Sequence, residues 1–129
     1  MSILGLGVDI VEVARMRASI ERHGEHFYRR ICTANEIAYC ISMRDSAPFF
    51  AVRFAAKEAV SKALGTGIGA QCGWQDIEVR RKASGEPFVV LHGAASETAS
   101  RLGINRVLLS LSHTENYAVA QAIAVSDPA

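Results

Sequence analysis

Two carboxylates sit in apolar company. Asp9 lies inside the run 3–11 (ILGLGVDIV), and Glu58 lies in a segment made largely of phenylalanine, alanine and valine. Burying a carboxylate is expensive unless a cation or hydrogen-bond donors compensate it. Asp9 is therefore either a strand-end acid, partly exposed or paired with an arginine, or an oxygen ligand for a hard metal ion. Glu58 has a similar pair of readings. It stands four residues before Lys62, an order in which a helical ion pair contributes only about 0.2–0.5 kcal/mol, or it is a second metal ligand. Magnesium is commonly held by one or two carboxylates, with water and substrate phosphates filling its octahedron. Spacing alone leaves both readings open.

Other groups could complete such chemistry. The segment from Lys57 to Gly67 (KEAVSKALGTG) joins two lysines to a glycine-rich stretch that could receive a phosphorylated ligand. Against this, glycines after a helix meet the negative end of its dipole, and such a run is equally a helix stop and a turn. His113 follows Ser110-Leu111-Ser112 at a hairpin mouth. It can contact a phosphate or act as acid or base, or simply satisfy its ring on turn backbone. The adjacent Ser112 and His113 do not form a nucleophile–base pair. Between Val13 and Arg30 there are five arginines, two histidines and two acids, which reads as a docking face for an acidic partner or as a solvated face with internal ion pairs.

The elements that must hold these groups follow from periodicity. Residues 3–11 read as a strand, with Leu4, Leu6, Val8 and Ile10 on one face and Gly5, Gly7 and Asp9 on the other. Two glycines beside an acid imply close approach of another backbone or a ligand. Residues 13–30 are helical in pattern, and Arg15, Arg22 and Arg29 recur every seven residues. Gly24 offers a break that would remove Arg29 from that face. Thr33 and Glu36 form a capping box opening a short helix. Pro48 starts a further helix that ends at Gly65. Its apolar stripe (Phe49, Val52, Ala56, Ala59, Val60, Ala63) has Phe50, Phe54, Ala51 and Ala55 behind it, so it is buried on more than one side. Arg53, Lys57, Glu58 and Lys62 also ride on it, with Glu58 away from the main stripe. Segments 74–81 and 87–91 flank a turn and form one expected hairpin. A helix over 94–102 closes at Gly103, and 106–112 with 117–125 form a second hairpin, leaving 126–129 as a frayed tail. The expected fold is α+β, with helices packed on a largely antiparallel sheet.

Length and composition bound the function. The chain has 129 residues, half of them hydrophobic and 21% charged, which fits one domain over 1–129 and argues against disorder. A domain of this size has a modest core, so an active site shared between subunits is plausible. Fourteen basic and thirteen acidic side chains give +1, a poor electrostatic match for general nucleic-acid binding. Three cysteines without a CxxC argue against a disulfide framework or a cysteine-rich zinc site. The amino terminus lacks a basic n-region and no apolar run approaches about 18 residues. A soluble, cytoplasmic protein without membrane partners is the expectation.

Taken together, the segments GLGVDIVE (5–12), RFAAKEA (53–59) continuing to KALGTG (62–67), GEP (85–87) and SLSH (110–113) resemble the holo-[acyl-carrier-protein] synthase type of phosphopantetheinyl transferase. Their order and spacing span nearly the whole chain. The resemblance implies Mg²⁺-dependent transfer of phosphopantetheine from coenzyme A to a serine of apo-acyl carrier protein, in fatty-acid biosynthesis, with release of adenosine 3′,5′-bisphosphate. It also implies a homotrimer with active sites between subunits. Asp9 and Glu58 match the Mg²⁺ ligands, and Lys62, Gly65 and Gly67 match positions that contact coenzyme A. Arg53 and His113 match groups near its phosphates, and Arg15 and Arg22 match basic positions that dock the acidic carrier. His26 stands where a permanently charged residue is common, and Glu25 adds a negative charge to the same tract.

The implied chemistry is in-line attack of the carrier serine on the β-phosphoryl, assisted by Mg²⁺ on Asp9 and Glu58 and by the positive charge of Lys62. No protein nucleophile is needed. The general base is open between Asp9, Glu58 through water, and free water. Two rival classes remain: a Mg²⁺-dependent pyrophosphate hydrolase using water as acceptor, and a non-catalytic coenzyme A or nucleotide-binding module. The arginine-rich helix favours the transferase, because neither rival needs an acidic macromolecular partner.

Overall fold

In the computed structural model, which describes residues 1–128, the chain runs β1 (Ser2–Glu12), α1 (Val13–His23), α2 (Glu25–Ile31), α3 (Ala34–Ile41), α4 (Ala47–Ala63), β2 (Ile77–Arg81), β3 (Pro87–Leu91), α5 (Gly93–Arg101), β4 (Arg106–His113) and β5 (Tyr117–Ser126). The expected α+β class holds, but the strands form two antiparallel sheets. One is three-stranded in the order β1-β5-β4, and the other is the β2–β3 hairpin.

Local chemistry sets the boundaries. Gly24, at φ +58°, breaks the arginine-rich segment into α1 and α2, because only glycine enters that region without strain. The capping box forms in full: the Thr33 hydroxyl accepts from the Glu36 N–H, and the Glu36 carboxylate accepts from the Thr33 N–H at 2.7 Å. Pro48 lies in the first turn of α4. The strand expected from residue 74 begins only at Ile77. Asp76 accepts from the Gly73 N–H at 2.9 Å and bends residues 74–76 into a 3₁₀ turn. The expected frayed tail is tied down as far as Asp127, which bonds Arg106 Nε at 2.8 Å and exchanges two hydrogen bonds with Asn105. Its last residue, Ala129, lies outside the described part.

α4 lies against the sheet because both surfaces are small. A Cβ on Gly5 would overlap the Ala63 carbonyl oxygen, and one on Gly7 would overlap that of Ala59. Beside them, Ala118, Ala120, Ala122 and Ala124 of β5 are fully buried. The glycine face of β1 is thus the inner face, and it brings Asp9 to the helix. The apolar face points outward: Leu6 is 63% exposed, Ile10 64%, and Leu4 and Val8 are exposed with them. Period two forces this outcome once the glycines are chosen as the contact.

Candidate active site

Asp9 and Glu58 reach the same cavity from different elements. Asp9 comes from the inner face of β1 and Glu58 from the flank of α4, and both line a cleft of about 550 Å³ walled also by Arg15, Met16, Phe27 and Phe54. Lys62 lies one helical turn beyond Glu58 but turns to the strand. Its Nζ donates to the Val8 carbonyl at 3.0 Å and to Asp9 Oδ1 at 3.2 Å. A Glu58–Lys62 ion pair is absent among the described residues. Burial pushes the Glu58 carboxyl above the usual carboxylate range, the Asp9 charge pushes it further, and the Lys62 ammonium offsets part of this.

That arrangement suits a hard divalent cation. Asp9, Glu12 and Glu58 line the cleft with Arg15, and Lys62 brings one ammonium to Asp9, so a deficit of positive charge remains. Oxygen donors from two carboxylates are what Mg²⁺ takes from a protein, with water and substrate oxygens supplying the rest.

The residues matched to the coenzyme A phosphates form a neighbouring cluster. Arg53 is only 2% exposed. Its guanidinium lies 4.4 Å over the Tyr39 ring and donates to the Phe49 carbonyl at 3.3 Å, while its Nε lacks a partner among the described residues. His113, at the end of β4, meets the Phe49 ring edge-on at 5.4 Å between centroids. Phe49 therefore touches both groups, Arg53 through its carbonyl and His113 through its ring. Gly65 and Gly67 adopt φ of +81° and +67°. Their N–H groups donate to the Lys62 and Ser61 carbonyls, as does that of Thr66 to Ser61. These amides are consumed by the helix stop, and what the glycines leave is open space.

Arg15 and Arg22 share a face of α1 and flank a second, shallow cleft of about 230 Å³. Arg15 also borders the carboxylate cavity, so the basic face continues into it. Arg29 has left that face through the bend at Gly24, and pairs with Glu25 at 3.3 Å.

Lys57 corrects the sequence reading. It does not offer its charge to a phosphorylated ligand, since it is fully buried. Its Nζ donates to Glu36 Oε1 at 2.8 Å and to the Trp74 and Ile77 carbonyls at 2.9 and 2.6 Å. Glu36 Oε2 accepts from the Val79 N–H at 2.8 Å. Beside this pair lies Glu78, nearly buried and held by Arg80, His92, Asn35 and Thr33. Burial would raise the Glu78 carboxyl, but the bonds from Arg80, His92 and Asn35 outweigh it and bring it down to about 2. The i,i+4 series Arg53, Lys57, Ser61, all buried, was the available signal. Polar residues at helical spacing on an otherwise apolar helix mark an inward polar stripe as readily as a ligand site.

Comparison with known proteins agrees with this fold. The family model of the 4′-phosphopantetheinyl transferase superfamily matches residues 5–122. The holo-[acyl-carrier-protein] synthase of Koribacter versatilis is 52% identical over 121 residues, covering 94% of this chain and 97% of the relative. The crystal structure of holo-[acyl-carrier-protein] synthase from Neisseria meningitidis superposes with a TM-score of 0.90 at 34% identity, covering 97% of this chain and all of that one. The Helicobacter pylori synthase, solved in complex with coenzyme A, gives a TM-score of 0.83 at 31% identity, covering 93% and 99% of the two chains. The chain belongs to the 4′-phosphopantetheinyl transferase superfamily, in its holo-[acyl-carrier-protein] synthase branch, and is an enzyme of that family.

Proposed function

We propose that this enzyme transfers phosphopantetheine from coenzyme A to the serine of an apo-acyl carrier protein, with Mg²⁺ held by Asp9 and Glu58. The observation that carries the reading is that Asp9, Glu58 and Arg15 border one cavity. The carboxylates for the chemistry and the basic face for an acidic carrier are continuous.

The serine oxygen attacks the β-phosphorus, a new phosphorus–oxygen bond forms, and the bond to adenosine 3′,5′-bisphosphate breaks. The proton the serine gives up goes to Asp9, to Glu58 through water, or to free water. Bound Mg²⁺ would supply charge neutralisation at the pyrophosphate. Lys62, already beside Asp9, adds positive charge, exposed His113 is placed to meet the remaining phosphate, and Arg53 would have to swing off the Tyr39 ring to join it. Arg15 and Arg22 draw in the acidic carrier. Fatty-acid synthesis in the cytoplasm is the setting this chemistry serves.

The enzyme works as a homotrimer. Support comes from the exposed apolar row on β1, since contiguous apolar patches on a sheet mark subunit contacts. Ile10 and Tyr117, which are 64% and 50% exposed, also line the carboxylate cavity. A second copy seated on that face would therefore complete the site's wall. Substitution Leu6→Lys should yield monomers by light scattering and lower turnover with them.

Intact-mass spectrometry of apo-acyl carrier protein with coenzyme A and Mg²⁺, against an EDTA control, tests the reaction. A metal-dependent gain of one phosphopantetheine is expected. Coenzyme A cleaved without carrier modification would favour a hydrolase, and coenzyme A left intact a binding module.

A further inference from the structure

α4 is held from two opposite sides. On one, Ala59 and Ala63 take the glycine face of β1 in backbone contact. On the other, Lys57 is locked by Glu36 of α3 and by the Trp74 and Ile77 carbonyls leading into β2. Residues 57 and 59 lie about 200° apart around a helix, so Glu58 projects sideways, about 100° from each anchor. A turn of the helix about its axis moves every side chain at a given radius by the same arc, but for a lateral one that motion runs toward or away from β1 and Asp9. At a carboxylate roughly 6 Å from the axis, a turn of about 10° moves it about 1 Å. Misplacement on that scale can cost on the order of a hundredfold in rate.

We propose that Lys57 is a positioning residue for Glu58: its buried pairing with Glu36 fixes the rotation of α4 and so the place of the Glu58 carboxylate relative to Asp9. This rests on the reading of Asp9 and Glu58 as the carboxylates that hold the cation. Glu36 is suited to the task because its two oxygens join three elements, the start of α3, Lys57 of α4 and the Val79 N–H of β2. The glycine contact sets how close α4 lies to β1, and the lysine clamp sets its rotation. The same clamp holds the carbonyl of Trp74, whose ring packs on Phe54 of the cavity wall at 4.9 Å between centroids.

The test is the double variant Lys57→Met with Glu36→Gln in the full-length protein, which removes both charges and leaves neither buried alone. Mn²⁺ alone, titrated by electron paramagnetic resonance without substrate, is the first readout, and kcat with the KM for carrier is the second. Near-ultraviolet circular dichroism verifies the fold, and Ile104→Ala, a core substitution between α5 and β4, controls for lost stability. The expected result is a folded protein that binds Mn²⁺ at least about tenfold more weakly. Its kcat should fall at least as far with KM for carrier unchanged, while Ile104→Ala retains both affinity and kcat. A folded double variant with wild-type affinity and kcat overturns the proposal. Should the double variant not fold, the isosteric Glu36→Gln alone decides, and unchanged affinity and kcat there overturn it equally. Wild-type protein that binds no Mn²⁺, or Asp9→Ala that binds as well as wild type, overturns the two-carboxylate reading and the positioning role with it. Tight wild-type binding lost in Asp9→Ala but kept in the double variant sinks the positioning role alone.

Discussion

α4 carries two lysines five residues apart, and each faces a carboxylate from another element. Lys57 and Glu36 meet at 2.8 Å with no exposure on either side chain. Lys62 and Asp9 meet at 3.2 Å with 49% and 20% of their side chains exposed. In the first pair every proton of the ammonium has an acceptor and both carboxylate oxygens have donors. In the second, one lysine serves Asp9 while Glu58 has no ion-pair partner among the described residues. A buried ion pair survives only when its remaining valences are filled, so the inner pair is finished and can only hold structure. The outer pair is unfinished, and its unmet negative charge is where the proposed cation would act.

Substitutions at the two pairs should therefore part ways. The largest effect is expected at the outer site: Asp9→Ala or Glu58→Ala should cut phosphopantetheine transfer on the order of a thousandfold without lowering the melting temperature. For Glu58 the sign is definite. Its carboxyl is raised above its usual 4.5, so the folded state disfavours the charged form. The resulting penalty grows as pH climbs through that range and is complete above the folded value. Removing Glu58 relieves that penalty at neutral pH, and a marked drop in melting temperature would break the contrast. At the inner pair, Glu36→Ala leaves Lys57 buried and unpaired and should cost about 3–5 kcal/mol in urea unfolding, whereas Lys62→Ala should cost less than about 1 kcal/mol.

Next comes Gly7→Ala, whose methyl must push α4 off β1. A loss of about 3 kcal/mol is expected, with reduced turnover because Asp9 and Glu58 separate. Glu78→Gln sharpens the picture of the inner network through pH. With a folded value about 2 against a usual 4.5, Glu78 contributes stability that is full above 4.5 and is lost as pH falls towards 2. Urea midpoints of wild type and variant should differ at pH 6 and converge near pH 2. The smallest effect is expected at Arg22→Glu, which should raise the KM for carrier several-fold at low salt with kcat unchanged.

Much of this architecture is legible residue by residue. The Thr33–Glu36 capping box, the glycine stops and the period-two strands rest on interactions within a few residues of chain, and they form as expected. Gly5 and Gly7 beside Asp9 announced a close backbone approach, and α4 supplies it. Lys57 was misread because its partners lie on α3 and at the start of β2, about 20 positions away, where no local pattern points. The two-sheet arrangement escaped for a related reason, since strand pairing is a long-range choice that hairpin signals do not make.

By itself the sequence determined the elements, their caps, the acids and bases available for phosphoryl transfer, and the family to which they belong. Only the tertiary structure decided which of two similar lysines is buried and which reaches Asp9. It also decided that the outer face of β1 is the apolar one, and that Arg15 shares a cavity with Asp9 and Glu58. The physical reason is that burial and charge pairing depend on neighbours brought by packing. A lysine's own residue type and spacing carry no record of whether carbonyls or solvent will surround its ammonium.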